Sequence, residues 1–93
     1  MANTPTLTDA DILEEVVAPD KPSLSPEAAR SLLRLRFSEQ ATKHMRQLLR
    51  KNNRGTITAA ERLTLERFLR VGQFLDLVQA KARLSLKEAG ETD

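Results

Sequence analysis

Apolar residues recur along the chain at helical spacing, and capping residues, prolines and a glycine turn divide the pattern into segments. In T-D-A-D-I-L-E-E-V-V, Ile12, Leu13, Val16 and Val17 stand at i, i+1, i+4 and i+5 and form a single apolar stripe. Thr8 precedes the stripe as a cap. Asp9 and Asp11 occupy the first turn, where the helix dipole favours negative charge. Pro19 and Pro22 end the pattern. The segment predicts a short acidic amphipathic helix over 9–17 within a flexible N-terminal region, 1–24. Such a short helix does not persist alone in water, so it must dock or stay disordered.

In L-S-P-E-A-A-R, Ser25 is an N-cap, Pro26 suits the first helical position and Glu27 lies in the first turn. Ala28, Ala29, Leu32, Leu33 and Leu35 give the apolar side of a helix over about 26–36. At Phe37-Ser38-Glu39-Gln40 two readings stay open: Ser38 caps a new helix, or the first helix runs straight through. Ala41, Met45, Leu48 and Leu49 continue at helical spacing over about 38–52. N-N-R-G-T-I-T is the clearest turn, since Asn52, Asn53 and Gly55 tolerate left-handed backbone. Thr58-Ala59-Ala60-Glu61 is a capping box that opens a helix over about 59–87 without proline. Residues 89–93 read as a disordered tail.

The last helix carries two apolar strips. Leu65, Phe68, Val71, Gly72, Leu75, Val78, Ala82 and Leu86 cover one broad face, and Leu63, Phe74, Leu77 and Leu84 form the second. Apolar residues over so much of the circumference predict packing on two sides. A hairpin buries each helix on one side only, and a core this short rarely supplies more than ~3–5 kcal/mol. The expected fold is all-α: a helical hairpin with a long C-terminal helix, forming an interaction domain over 25–88 that dimerises into a helical bundle. Its dimer or packing face would be Leu65, Phe68, Val71, Gly72, Leu75, Val78 and Ala82. The alternative is a monomer whose N-terminal segment folds back over the second strip. Gly72 either marks a close helix approach or is simply tolerated at ~1 kcal/mol relative to alanine.

Composition narrows the class. The 93 residues include no Cys, Trp or Tyr and three Phe, which excludes a disulfide framework and thiolate metal sites. Apolar runs of two or three residues are far below the ~20 needed to cross a bilayer. With no basic-then-apolar leader, a cytoplasmic protein without membrane association is expected. The net charge of +2 conceals a segregated pattern: residues 1–27 sum to −5, 28–87 to +10 and 88–93 to −3. Such asymmetry points to a polyanionic partner or to association of opposite segments.

Catalytic chemistry is not indicated. His44 is the only histidine and has no carboxylate at i+3 or i+4 to orient it. Glu14/Glu15 and Glu61/Glu66 are explained by capping and solvation, without the pocket that general acid–base catalysis needs. Phosphate-loop, G-x-S-x-G and H-E-x-x-H patterns do not occur, and no cofactor or metal is expected. The best polar constellation is basic: Lys43, Arg46 and Arg50 at i, i+3 and i+7, continued by Lys51 and Arg54, with Arg30 and Arg34 as a second pair. Such a ladder suits a phosphate backbone, an acidic protein surface or the chain's own acidic segment, and equally a plain solvated face. No interleaved aromatics offer base stacking, and the last helix is far longer than a recognition helix.

The stretches L-S-P-E-A-A-R-S-L-L-R-L-R-F-S, G-T-I-T-A-A-E-R-L-T-L-E-R-F-L-R-V-G and L-V-Q-A-K-A-R-L-S-L-K resemble a group of small helical bacterial proteins of planctomycete and cyanobacterial type. The resemblance runs from the D-I-L-E-E-V-V segment to Lys87. Members of that group are often encoded beside a small HNH endonuclease, which implies a partner, inhibitor or antitoxin-like role and carries over no catalytic residue. The expected function is a non-enzymatic interaction module that dimerises and docks through Ile12, Leu13, Val16 and Val17. Acidic residues 9–15 would mimic phosphates in a basic nuclease cleft, or the helical body would sequester the nuclease by shape. The rival readings are a small basic DNA- or RNA-binding architectural or regulatory protein and a structural subunit of a larger assembly.

Overall fold

A computed structural model describes residues 6–90, which form four helices and no strand: α1 (Asp9–Val17), α2 (Pro26–Leu33), α3 (Glu39–Arg54) and α4 (Ala59–Glu88). The all-α class and the long C-terminal helix are therefore as expected. Of the expected flexible N-terminal region and tail, residues 1–5 and 91–93 lie outside the described residues. Ala89 and Gly90 form a turn after α4.

Each helix starts where a side-chain oxygen meets its free N–H groups. Thr8 Oγ1 accepts from the Asp11 N–H at 3.1 Å, and Asp11 Oδ2 accepts from the Thr8 N–H at 3.0 Å. This is a capping box with Asp in the third position. Ser25 accepts from Ala28 N–H, and Ser38 from Ala41 N–H. Thr58 and Glu61 form the expected box at the start of α4. The ends are equally defined. Ala18 closes α1 in the left-handed region at φ 50, its N–H donating to Glu14 O, and Pro19 follows it. Gly55 closes α3 at φ 72, with Gly55 N–H to Asn52 O and Thr56 N–H to Lys51 O completing a Schellman motif. Asn52 and Asn53 stay helical, so the left-handed position falls to the glycine alone.

Between α2 and α3 the chain breaks, settling the point left open at Phe37-Ser38. The helix expected to reach 36 stops at Leu33, and Ser38 caps a new one. Two tertiary partners account for the early stop. The Gln79 amide donates to Leu32 O at 3.2 Å, which also accepts from the Leu35 N–H, and to Leu35 O at 2.8 Å, a carbonyl beyond the helix. Phe37, freed from helical geometry, packs its ring edge-on to Phe68 at 5.9 Å.

The chain forms two compact units. Residues 36–72 hold α3 and the first half of α4, joined by the Gly55 turn, with Leu48 and Leu65 buried. Residues 1–35 and 73–93 bring α1 and α2 together with the second half of α4. There Ala29, Ala82 and Leu86 are buried in one cluster, with Leu24, Leu32 and Leu33 packed against it. Polar side chains of α4 tie this unit together. Buried Ser85 accepts from Leu24 N–H at 3.2 Å, and Lys81 donates to Val17 O at 2.7 Å, capping the C-terminus of α1.

Candidate functional site

The basic constellation lies on α3 and is sorted by its partners. Lys51 Nζ bonds Glu61 Oε2 across the turn, and this charge partner, with the Thr58 N–H, pulls the Glu61 carboxyl down to about 2. Lys43 faces Glu39 one turn back, at 3.7 Å, as an exposed pair. Arg46, Arg50 and Arg54 meet no carboxylate among the described residues and stand exposed at i, i+4 and i+8. The ladder is therefore made of two lysines that each face a carboxylate and three arginines that meet none among the described residues. Of the second pair, Arg34 caps the end of α2, so Arg30 and Arg34 belong to the other unit.

On α4, the face read as one strip is divided by burial. Leu65, Ala82 and Leu86 are buried; Phe68, Gly72, Leu75 and Val78 are half-buried; Val71 is 54% exposed. Of the second strip, Leu63 and Phe74 are exposed while Leu77 and Leu84 are half-buried. Within residues 36–72, Phe37, Thr64, Arg67, Phe68 and Val71 line a shallow hollow of about 250 Å³. Gly72 lies under the Phe37 ring.

On α1, Ile12 and Val16 are exposed, at 48% and 76%, while Leu13 and Val17 are half-buried. The stripe thus has an inner half that packs and an outer half that does not. The Asp11 carboxyl is held below its usual range by the Thr8 N–H and hydroxyl, consistent with a capping role.

His44 is exposed, edge-on to Phe68 at 5.6 Å, beside an open hollow of about 570 Å³ floored by Ala41 and Phe68 and rimmed by Ser38, Lys43 and Gln47. Among the described residues no group of three or more His, Cys, Asp or Glu side chains could hold a metal ion, and no helix is long and apolar enough to cross a membrane.

The pattern along the chain did not reveal the Phe37–Phe68–His44 cluster or the Gln79, Lys81 and Ser85 ties. A faint signal existed for the second. Gln79 and Ser85 interrupt a helix whose inward positions are otherwise Leu75, Ala82 and Leu86. Comparison with protein-family models, curated proteins and solved structures found no match to this chain.

Proposed function

We propose that the chain is a non-catalytic cytoplasmic protein–protein interaction module that self-associates and acts as a regulatory, antitoxin-like partner of a nuclease. The observation that carries the reading is the open apolar surface of residues 36–72. Val71 and Leu63 are about half exposed, and Val71 borders a hollow with phenylalanine walls. Scattered exposed aliphatics are ordinary, but aliphatics beside an aromatic hollow offer an anchor and its pocket on one surface. A second copy related by a two-fold axis would present the same anchor and pocket in reciprocal fashion.

The outer half of α1 supplies a second docking element. Ile12 and Val16 project among Asp9, Asp11, Glu14 and Glu15, so an apolar grip is framed by negative charge. That chemistry suits a basic cleft, and the resemblance to proteins encoded beside an HNH endonuclease supplies the partner class.

Sedimentation velocity of the full chain at micromolar concentration tests the self-association. The expected result is a dimer that Val71→Glu converts to a monomer of unchanged helicity; a monomeric wild type overturns it. Co-purification with an HNH endonuclease of the kind encoded beside the proteins it resembles tests the partner. An Ile12→Glu/Val16→Glu chain should lose it, and equal retention by that variant removes α1 as the docking element.

A further inference from the structure

The two units differ sharply in charge. Residues 36–72 carry nine bases and three acids, +6, while the remainder carries six bases and ten acids, −4. The net +2 is therefore the sum of a basic unit and an acidic one. Within the basic unit the excess concentrates on α3, where Glu39 is the only acid and no further carboxylate occurs before Glu61.

We propose that the outer face of α3 is a binding ridge for the phosphate backbone of duplex nucleic acid, contacted by Arg46, Arg50 and Arg54. Three observations converge on it. The ridge centres about 160° round the helix from buried Leu48, so it points away from the packing side of α3. Its three arginines rise about 12 Å along the axis, one helical turn apart from one another, so each can meet a phosphate of its own. Each keeps its guanidinium fork available for bidentate phosphate contact, whereas both lysines of α3 already face carboxylates.

An acidic protein is the less suitable occupant. Protein interfaces centre on apolar or aromatic residues inside a polar rim. The residues interleaved on this ridge are Lys43, Gln47 and Asn53, all polar and exposed, and Leu49 lies about 100° round the helix from its centre. A ridge of cations without an apolar centre matches a phosphate backbone. It also offers no aromatic face on which bases could stack, since Phe37 and Phe68 are engaged with each other. Contacts confined to phosphates carry no sequence information, so the binding proposed is independent of sequence. The surface is separate from the Val71 hollow that carries the self-association, so it can fail without affecting that reading.

The test is fluorescence anisotropy of a labelled mixed-sequence 20-base-pair DNA duplex titrated with the full-length protein. Three phosphate contacts predict a slope of about −2.7 in log K against log salt, a roughly 40-fold weakening from 50 to 200 mM. Arg46→Gln/Arg50→Gln/Arg54→Gln should abolish binding at 50 mM, with helicity and oligomeric state unchanged. A control variant removes the same charge from the acidic unit: Lys21→Gln/Arg34→Gln/Arg83→Gln. It should bind as the wild type does. No duplex binding at 50 mM, an unaffected ridge variant, or an equal loss in the control variant each overturns the proposal. So does tighter binding to a single strand of the same length, or competition by polyglutamate as effective as that by unlabelled duplex.

Discussion

Gly72 stands in the interior of α4, and a Cβ built there would lie 3.6 Å from Phe37 Cε2, an ordinary van der Waals distance. The glycine is not required by close approach; it leaves helix propensity unused. Gly72→Ala is expected to stabilise the fold by ~0.5–1 kcal/mol, seen as a rise of a few degrees in the thermal midpoint. A lowered midpoint would show that the Phe37 ring cannot accommodate even this contact. Gly55 is the opposite case, since its φ of 72 is a region that side chains disfavour. Ser85 matters at the same scale. It is a buried hydroxyl whose value lies in satisfying a backbone N–H sixty-one positions away, at Leu24, and no periodicity argument assigns it that task.

At the scale of elements, the α3–α4 hairpin is closed by chemistry drawn from both sides of the turn. Glu61 takes part in the α4 capping box and also accepts from Lys51 of α3. Its carboxyl lies at about 2 in the folded chain, below its ordinary 4.5. The ionised form is thus favoured by folding. Its contribution is full above pH 4.5 and is lost as pH falls through about 2. Glu61→Gln keeps a side-chain acceptor for the cap but removes the charge. The expected outcome is a shallower fall of the urea midpoint between pH 4.5 and 2 than in the wild type; parallel curves would contradict it. Helix starts and stops were the most legible elements in the sequence, because Thr8, Ser25, Ser38, Gly55 and Thr58 act on backbone groups within five residues. The end of α2 was misplaced by three residues because Gln79, far along the chain, supplies the acceptors' partner.

At the scale of the whole molecule, charge and apolar surface make different demands on association. If copies joined through the acidic unit of one and the basic unit of another, salt would dissolve the complex, since the Debye length falls to ~3 Å at 1 M. Burial of Val71 in a phenylalanine-walled hollow is not screened in this way. The self-association proposed here is therefore expected to persist in sedimentation at 1 M salt, while duplex binding on the arginine ridge disappears. A dimer that dissociates with salt would move the interface from the apolar hollow to the oppositely charged units.

The sequence by itself determined the helical class, the positions of the caps and the existence of charge segregation, because all three depend on residue type and short spacing. It also marked α4 as apolar round much of its circumference. Only the tertiary structure decided how that surface was divided. Leu65 and Ala82 became core while Val71 and Leu63 stayed open, since burial depends on which helix lies opposite, not on periodicity. The same holds for charge. The sequence ran acidic, basic, acidic, and folding grouped the acidic α1 with α2 and the second half of α4 in one unit and left α3 in the other. Spacing placed five cations in one region; their neighbours in three dimensions paired the lysines and left Arg46, Arg50 and Arg54 as the ridge.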